Sequence, residues 1–475
     1  MKRSGGGVAL SRTIIKAMSL FGGVQILSIL CAVIRTKLIA IWIGPAGIGL
    51  FGLYNSAIEM ISSFSELGIR KSSVRDIAIG TSNRAIIIKV VRRWSWFVGL
   101  LGAVLTLSFA PLLSKLTFGD DTHIWGFVSI SIVLLINALA LGEQAILQGT
   151  SKLRRLAQAS LCGVTSGVIV SIPLFYIWRI DSVIPAIIAY SAMTALFMWL
   201  FRNKDYRQKT PLNAKETFNI GKGFVRLGIF MTLSNFITVL FSYIFMAYLN
   251  RETSITEVGY YQAGYTLVNK YAGLIFTAIG MEYYPRLAKV SFSNIRLKLF
   301  VTQEIVITLL VLTPIITLFL VFRNIIVSLL YAPEFITIVP FISWAILGMI
   351  FRGVSWCIAF VILAKGSGKL FLITESISAV TGFVLNVIFY QLWGLTGLGI
   401  SFVVWYIIYT IVILIVYYRI YHLSLNISAF KILFVSIIIS AATFASLELG
   451  SLIIAIILSI CTVGISAIIL RKMLN

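Results

Sequence analysis

Residues 335–364 read FITIVPFISWAILGMIFRGVSWCIAFVILA, and residues 365–369 close them with KGSGK. Over those thirty positions the only charge is Arg352. A run of about 20 apolar residues spans the hydrocarbon core as a helix. Only helices and closed barrels satisfy their backbone in lipid, and this run lacks the period-2 alternation of a barrel strand. The rest of the chain follows the same pattern. Of its 475 residues, 59% are hydrophobic and 12% charged, with a mean hydropathy of +1.00. A soluble domain is about a quarter charged. The sequence predicts an all-α polytopic membrane protein with fourteen transmembrane helices. The spans are 14–43, 47–69, 88–112, 124–148, 156–178, 183–201, 224–249, 259–281, 299–322, 335–364, 370–392, 397–418, 430–447 and 451–470.

Lys and Arg in short loops set orientation. One set of alternate gaps, with both tails, holds 31 of the 39 basic residues. Dense examples are Arg84, Lys89, Arg92 and Arg93, then Arg202, Lys204, Arg207 and Lys209. The opposite gaps hold four, Lys115, Arg179, Arg251 and Arg323, beside acids such as Asp120, Asp121 and Glu448. Both termini of this multi-pass membrane protein are therefore expected in the cytoplasm. Arg35, Lys37, Lys270 and Arg352 remain inside spans.

The net charge of +23 is accounted for by topology and by anionic headgroups, so no nucleic-acid partner is expected. Cys31, Cys162, Cys357 and Cys461 all fall within spans, with neither metal-ligand nor disulfide-framework spacing, and read as small packing residues. The first apolar segment is too long for a signal peptide. No nucleotide-binding motif and no His/Cys/Asp cluster is present. No catalytic residue, metal or cofactor is expected, and the chain does not read as an enzyme.

Two stretches recur in order. Ile48-Gly49-Leu50-Phe51 resembles Val258-Gly259-Tyr260-Tyr261, an offset of 210. Gln148-Gly149-Thr150-Ser151-Lys152 resembles Lys365-Gly366-Ser367-Gly368-Lys369, an offset of 217. They suggest two copies of a six-helix unit with the same orientation, as in transporters built from parallel repeats. The domains expected are 1–210, 211–422 and an additional helix pair over 423–475.

The opening spans carry a further pattern. Arg35-Thr36-Lys37-Leu38-Ile39-Ala40 leads to Ile43-Gly44-Pro45-Ala46-Gly47-Ile48-Gly49, then to Phe64-Ser65-Glu66-Leu67-Gly68 and the basic Arg70-Lys71. Glu257-Val258-Gly259-Tyr260-Tyr261-Gln262-Ala263 echoes it, with Tyr284-Pro285-Arg286 closing span 8. This resembles the polysaccharide transporter branch of the multidrug/oligosaccharidyl-lipid/polysaccharide exporter superfamily, which includes the O-antigen flippases. Many O-antigen flippases have twelve spans, and the extra pair here is a departure. The resemblance implies two pseudo-symmetric lobes around a central cavity with alternating access. It also implies a lipid-linked oligosaccharide on an undecaprenyl diphosphate carrier, handled beside membrane lipids, a polysaccharide polymerase and glycosyltransferases.

An ion at mid-bilayer is costly and marks a functional candidate. A diphosphate needs fixed cation donors, and the Arg fork suits it best. Gln25, Ser28, Ala32 and Arg35 form one small or polar stripe. Gly348, Arg352, Ser355 and Ala359 form another, where Arg352 either lines the cavity or pairs with Glu304 or Glu375. Lys270 shares a face with Thr266, Gly273 and Thr277. Gln262, Tyr265 and Asn269 line the next face and suit sugar hydroxyls. Substrate-binding candidates are thus Arg35, Lys270, Arg352, Gln25, Gln262, Tyr265 and Asn269. Glu59 is expected to neutralise Arg35 or to couple an ion. Glu375, in a stripe with Ser378, Gly382 and Asn386, is a second candidate for either task. For Glu143, Glu282 and Glu304, solvation at the inner interface is the expectation.

The reading is a flippase moving undecaprenyl-diphosphate-linked oligosaccharide from the cytoplasmic to the outer leaflet, for O-antigen or other surface polysaccharide of the lipopolysaccharide kind. The alternatives are a drug/cation antiporter and a peptidoglycan-precursor flippase of the same superfamily. A drug/cation antiporter would want an acidic cavity, whereas the deepest charges here are basic. A membrane glycosyltransferase or polymerase would need a large outer loop, and the outer gaps are short.

Overall fold

A computed structural model of the protein describes residues 23–24, 27–66, 68–79, 84–204, 213–271 and 273–474. Gln25 lies outside the described residues, as does the side chain of Lys270. Among the described residues there is no strand. The α-helices in chain order are α1 (27–42), α2 (Gly44–Ser65), α3 (Ile69–Ile79), α4 (Arg84–Phe118) and α5 (Ile124–Gly149). Then follow α6 (Leu153–Trp178), α7 (Val183–Leu200), α8 (Ala214–Glu252), α9 (Ile255–Tyr265) and α10 (Leu274–Val290). The last are α11 (Asn294–Leu330), α12 (Val339–Ala364), α13 (Gly368–Arg419), α14 (Ile427–Glu448) and α15 (Leu452–Leu474).

Nine helical stretches are long and apolar enough to cross a membrane by length and composition, among the described residues. Two of them, Leu153–Leu200 and Gly368–Arg419, each hold a pair of the expected spans. The polytopic all-α class therefore stands. Spans 1, 2 and 8 fall outside those nine for separate reasons. Span 1 is only partly described. Span 2 (α2) is 22 residues long but carries Asn55, Ser56, Glu59, Ser62 and Ser63. Span 8 is broken: α9 passes into a π-turn over Thr266–Tyr271 before α10 begins. A π-turn bonds i to i+5, so the single-face reading of Thr266, Lys270, Gly273 and Thr277 does not carry through it.

Local chemistry places the ends. Pro340 sits in the first turn of α12, where a missing N–H costs nothing. Asn213 and Glu216 form a capping box at the start of α8, with the Glu216 carboxylate accepting from the Asn213 N–H at 3.1 Å. The gap after α2, read as a basic loop, folds as the short helix α3.

The chain forms two compact units, residues 1–258 and 259–475. In the first, α8 is tied to α4: Trp94 Nε1 donates to Thr217 O at 3.0 Å, and Arg93 Nη1 to Thr217 Oγ1 at 2.8 Å. Span 7, grouped by sequence with the second lobe, thus packs within the first unit.

The order of elements recurs. Helices α4, α5 and α6 begin at 84, 124 and 153, and α11, α12 and α13 at 294, 339 and 368. After α5, Ser151 N–H donates to Gln148 O and Lys152 N–H to Leu147 O. After α12, Gly366 N–H donates to Leu363 O and Ser367 N–H to Ile362 O. This is the same helix-ending turn at an offset of 215, with Ser151 at φ 56° and Gly366 at φ 74°. A second recurrence has the same offset. Trp178 precedes Arg179 at φ 49°, ψ −126°, and Trp393 precedes Gly394 at φ 57°, ψ −139°. The pair breaks α6 from α7 and kinks α13 into its two spans.

Candidate functional site

In the second unit, α12 carries Arg352 at mid-helix. Its Nη1 donates to Asn269 Oδ1 at 2.5 Å. The guanidinium carbon lies 5.4 Å from the Phe276 ring centroid and 5.5 Å from that of Tyr406. A cation held against desolvated aromatic faces gains roughly 0.5–2 kcal/mol per contact. The π-turn presents Asn269, α10 supplies Phe276 and the second half of α13 supplies Tyr406.

Glu375, on the first half of α13, accepts a hydrogen bond from Tyr409 OH on the second half. It lies within electrostatic reach of Arg352. The stripe Glu375, Ser378, Gly382, Asn386 is therefore a polar seam between the two halves of α13. Trp405 Nε1 donates to Ser378 Oγ at 3.0 Å, and Ser401 Oγ donates to Asn386 Oδ1. Gly382 faces the Trp405 indole with no room for a β-carbon. A ring packed that closely requires glycine.

Tyr265 and Asn269 share a narrow crevice with Tyr261, Asn386 and Trp405. Tyr261 and Tyr265 rings are 5.7 Å apart, and Tyr261 stacks on Phe341 at 6.0 Å. Gln262 is half-buried on α9 and outside that crevice. Lys270 shares the π-turn by its backbone.

In the first unit, Arg35 of α1 is half-buried between two rings. Its guanidinium carbon is 4.9 Å from the Phe51 centroid on α2 and 4.5 Å from Tyr190 on α7. Glu59 is exposed, eight residues along α2 from Phe51. Glu143 is not simply solvated. Arg92 donates Nε to its Oε1 at 2.6 Å and Nη2 to its Oε2 at 3.1 Å, and Nη2 also reaches Asn203 O at 3.0 Å.

Sequence reasoning reached Arg352, Asn269 and Glu375 but missed the rings of Tyr190, Phe276 and Tyr406 that hold the cations and the Tyr409 hydroxyl bound to Glu375. Each comes from a helix distant in sequence, so spacing along one span could not reveal it. Among the described residues, no three His, Cys, Asp or Glu side chains are grouped to hold a metal.

Beyond the spans, the loop between α4 and α5 places His123 against Phe118, ring centroids 3.7 Å apart and 19° from parallel. Its Nδ1 is 3.1 Å from Tyr54 OH. Burial pushes the imidazole below its ordinary range, while Asp120 acts in the opposite sense.

Residues 38–340 match the profile of a family described as polysaccharide biosynthesis protein. The lipid III flippase of Escherichia coli (strain K12) is 24% identical over 375 residues, covering 74% of this chain and 85% of the relative. The lipid III flippase of Shigella flexneri matches to the same extent. A solved lipid II flippase MurJ, in an inward closed conformation, superposes with a TM-score of 0.61 at 15% identity, covering 96% of this chain and all of its own. An inward-facing multidrug resistance MATE family transporter of the MOP superfamily gives 0.66 at 17% identity, covering 81% and 92%. These two likenesses establish the fold.

Proposed function

The chain belongs to the polysaccharide biosynthesis protein family, the polysaccharide transporter branch of the exporter superfamily that its sequence resembles, and from that premise we propose that it is a flippase for undecaprenyl-diphosphate-linked oligosaccharide. The substrate moves from the cytoplasmic to the outer leaflet of the bacterial inner membrane by alternating access, for O-antigen or other surface polysaccharide. The protein is a transporter rather than an enzyme. Both termini are cytoplasmic, and the recurrence of the α4–α7 order in α11–α13, with its constant turn offset, supports two repeated lobes.

The observation that carries this reading is Arg352, a cation fixed inside a membrane-spanning helix by Asn269, Phe276 and Tyr406. The diphosphate meets fixed guanidinium groups at Arg35 and Arg352 and the ammonium of Lys270 along its path. Gln25, Gln262, Tyr265 and Asn269 meet the glycan. Glu59 is a static counter-charge to Arg35. Glu375 tempers the Arg352 charge through its own bond to Tyr409.

The substrate carries about two negative charges, each worth about 2.3 kcal/mol per 100 mV across the membrane. An inside-negative potential therefore assists outward movement of the loaded carrier. A peptidoglycan-precursor flippase is the second reading, supported by the fold it shares with the solved lipid II flippase.

Both readings are tested by flipping in proteoliposomes with an imposed potential. Lipid-linked oligosaccharide is expected to flip, and Arg35→Ala to lose that activity while remaining inserted. Arg35→Lys restores part of it, because a point charge lacks the bidentate fork. Faster flipping of a peptidoglycan precursor would select the second reading. Undiminished flipping by Arg35→Ala removes Arg35 from the path.

A further inference from the structure

Outside the substrate path, the first unit carries a cavity of 570 Å³ between the ends of α4, α5 and α7 nearest the basic gaps. That volume lies within the roughly 300–1,000 Å³ typical of ligand pockets. Its two ends differ in chemistry. The inner trough is made by small side chains, Ala140 of α5 with Ala192 and Ala195 of α7, which let the walls recede. Its mouth is framed by Trp96 and Trp199, which are 52% and 53% exposed. Tryptophans so placed mark the headgroup level of a bilayer.

The mouth has an unequal charge balance. The lining holds Arg92 and Arg202 against one acid, Glu143. Arg92 is committed, with two bonds to the Glu143 carboxylate and a third to Asn203 O. It braces the chain leaving α7 against α4 and α5. Arg202 is left to balance the mouth, its guanidinium 4.7 Å from the Trp199 ring centroid. A full charge there outweighs the partial negative end of α7, equivalent to about half a charge. An apolar trough opening under tryptophans onto an arginine fits an acyl chain below a phosphate. Basic pockets between membrane helices on the cytoplasmic side hold anionic headgroups in this way.

We propose that this cavity is a binding site for one anionic phospholipid of the surrounding bilayer, its phosphate on Arg202 and an acyl chain in the trough lined by Ala140, Ala192 and Ala195. The site faces the leaflet on the side of the basic gaps, which is the cytoplasmic one under the proposed topology. It is independent of which lipid-linked substrate the protein carries.

The test titrates purified full-length protein with phosphatidylglycerol or phosphatidylcholine and reads retained lipid by native mass spectrometry. Wild type is expected to retain phosphatidylglycerol in preference to phosphatidylcholine. Arg202→Gln should lose about five-fold in phosphatidylglycerol affinity, the worth of one basic residue at a headgroup surface, and less for phosphatidylcholine, whose choline offsets the charge of its phosphate. Arg202→Lys should keep most of the preference, and it carries the test if the Gln variant fails to fold. Equal retention of the two lipids by wild type overturns the proposal, as does an unchanged preference in Arg202→Gln. Displacement of bound phosphatidylglycerol by undecaprenyl diphosphate at equal concentration also overturns it, since the cavity would then belong to the transported lipid. Flipping is not read in any arm, so failure here leaves the transport reading untouched.

Discussion

Arg352 permits a test that separates a substrate ligand from an internal charge partner. Three variants are needed: Arg352→Gln, Glu375→Gln and the double. In the single Arg352→Gln variant, the protein loses a charge-assisted hydrogen bond to Asn269, worth about 1.5–3 kcal/mol, and two aromatic contacts. It also leaves Glu375 without the nearby positive charge. The uncompensated carboxylate adds to those lost contacts, so the thermal midpoint in detergent should fall clearly. Neutralising Glu375 as well removes the stranded carboxylate, and the double variant should regain much of that loss. Flipping should behave differently. If the guanidinium meets the diphosphate, its absence forfeits a charge-assisted contact of about 1.5–3 kcal/mol, or roughly 10- to 150-fold in apparent affinity. Restoring stability does not restore that contact. The expected result is a double variant that is stable and inactive in proteoliposomes. A double variant that flips at the wild-type rate refutes the assignment and makes Arg352 a structural counter-charge to Glu375.

Sidedness is read by cysteine labelling in intact cells with an impermeant thiol reagent: Lys222→Cys should be shielded and Asp121→Cys labelled. Lys222 serves better than its neighbour Gly221, which abuts the Trp94 indole. The reverse pattern overturns the orientation. The loop before α5 predicts an acid-sensitive contribution to stability. Burial depresses the His123 imidazole in the folded protein, so the unfolded chain binds the proton more readily. That contribution is fully present above the unfolded value of about 6.5 and is lost as pH falls through the depressed folded one. The thermal midpoint should therefore drop on acidification below pH ~6.5, and less so in His123→Gln. An equal slope in both proteins would show that His123 is not the sensor.

The contrast between what the sequence discloses and what it conceals follows from how each property is encoded. Membrane crossing is a sum over residues within one segment. The run 335–364 declares α12, with Pro340 at its first turn, whatever the rest of the chain does. Sidedness is likewise additive, through Lys and Arg counts in the gaps. Helix α3 is the exception that follows the rule. Eleven residues rich in Arg, Lys and Ser give no apolar sum, so the segment reads as a loop, although its backbone is helical.

The site depends instead on the rotation of each helix about its axis and on pairings far apart in sequence. Arg352 is legible because an isolated charge in an apolar run is conspicuous. Its partners are not, because Phe276 and Tyr406 are two aromatics among the 51 Phe and Tyr of the chain. The π-turn over Thr266–Tyr271 has no residue signature, yet it re-aims every side chain beyond it. That turn delivers Asn269 to Arg352 while ending the face expected to run from Thr266 to Thr277. The repeat was concealed in a related way. Gln148–Lys152 and Lys365–Lys369 align by residue type at an offset of 217, but by hydrogen bonds at 215. A turn is fixed by which amides meet which carbonyls, and several residue types can occupy it. Arg179 and Gly394 make the point at the second recurrence: both stand at positive φ after a tryptophan, and only one is the glycine that such a backbone ordinarily demands. The conformation persists where the residue type does not. The strain at Arg179 is accepted in a segment whose guanidinium also donates from Nη1 to Trp42 O at 2.7 Å, fastening the end of α1 to the break between α6 and α7.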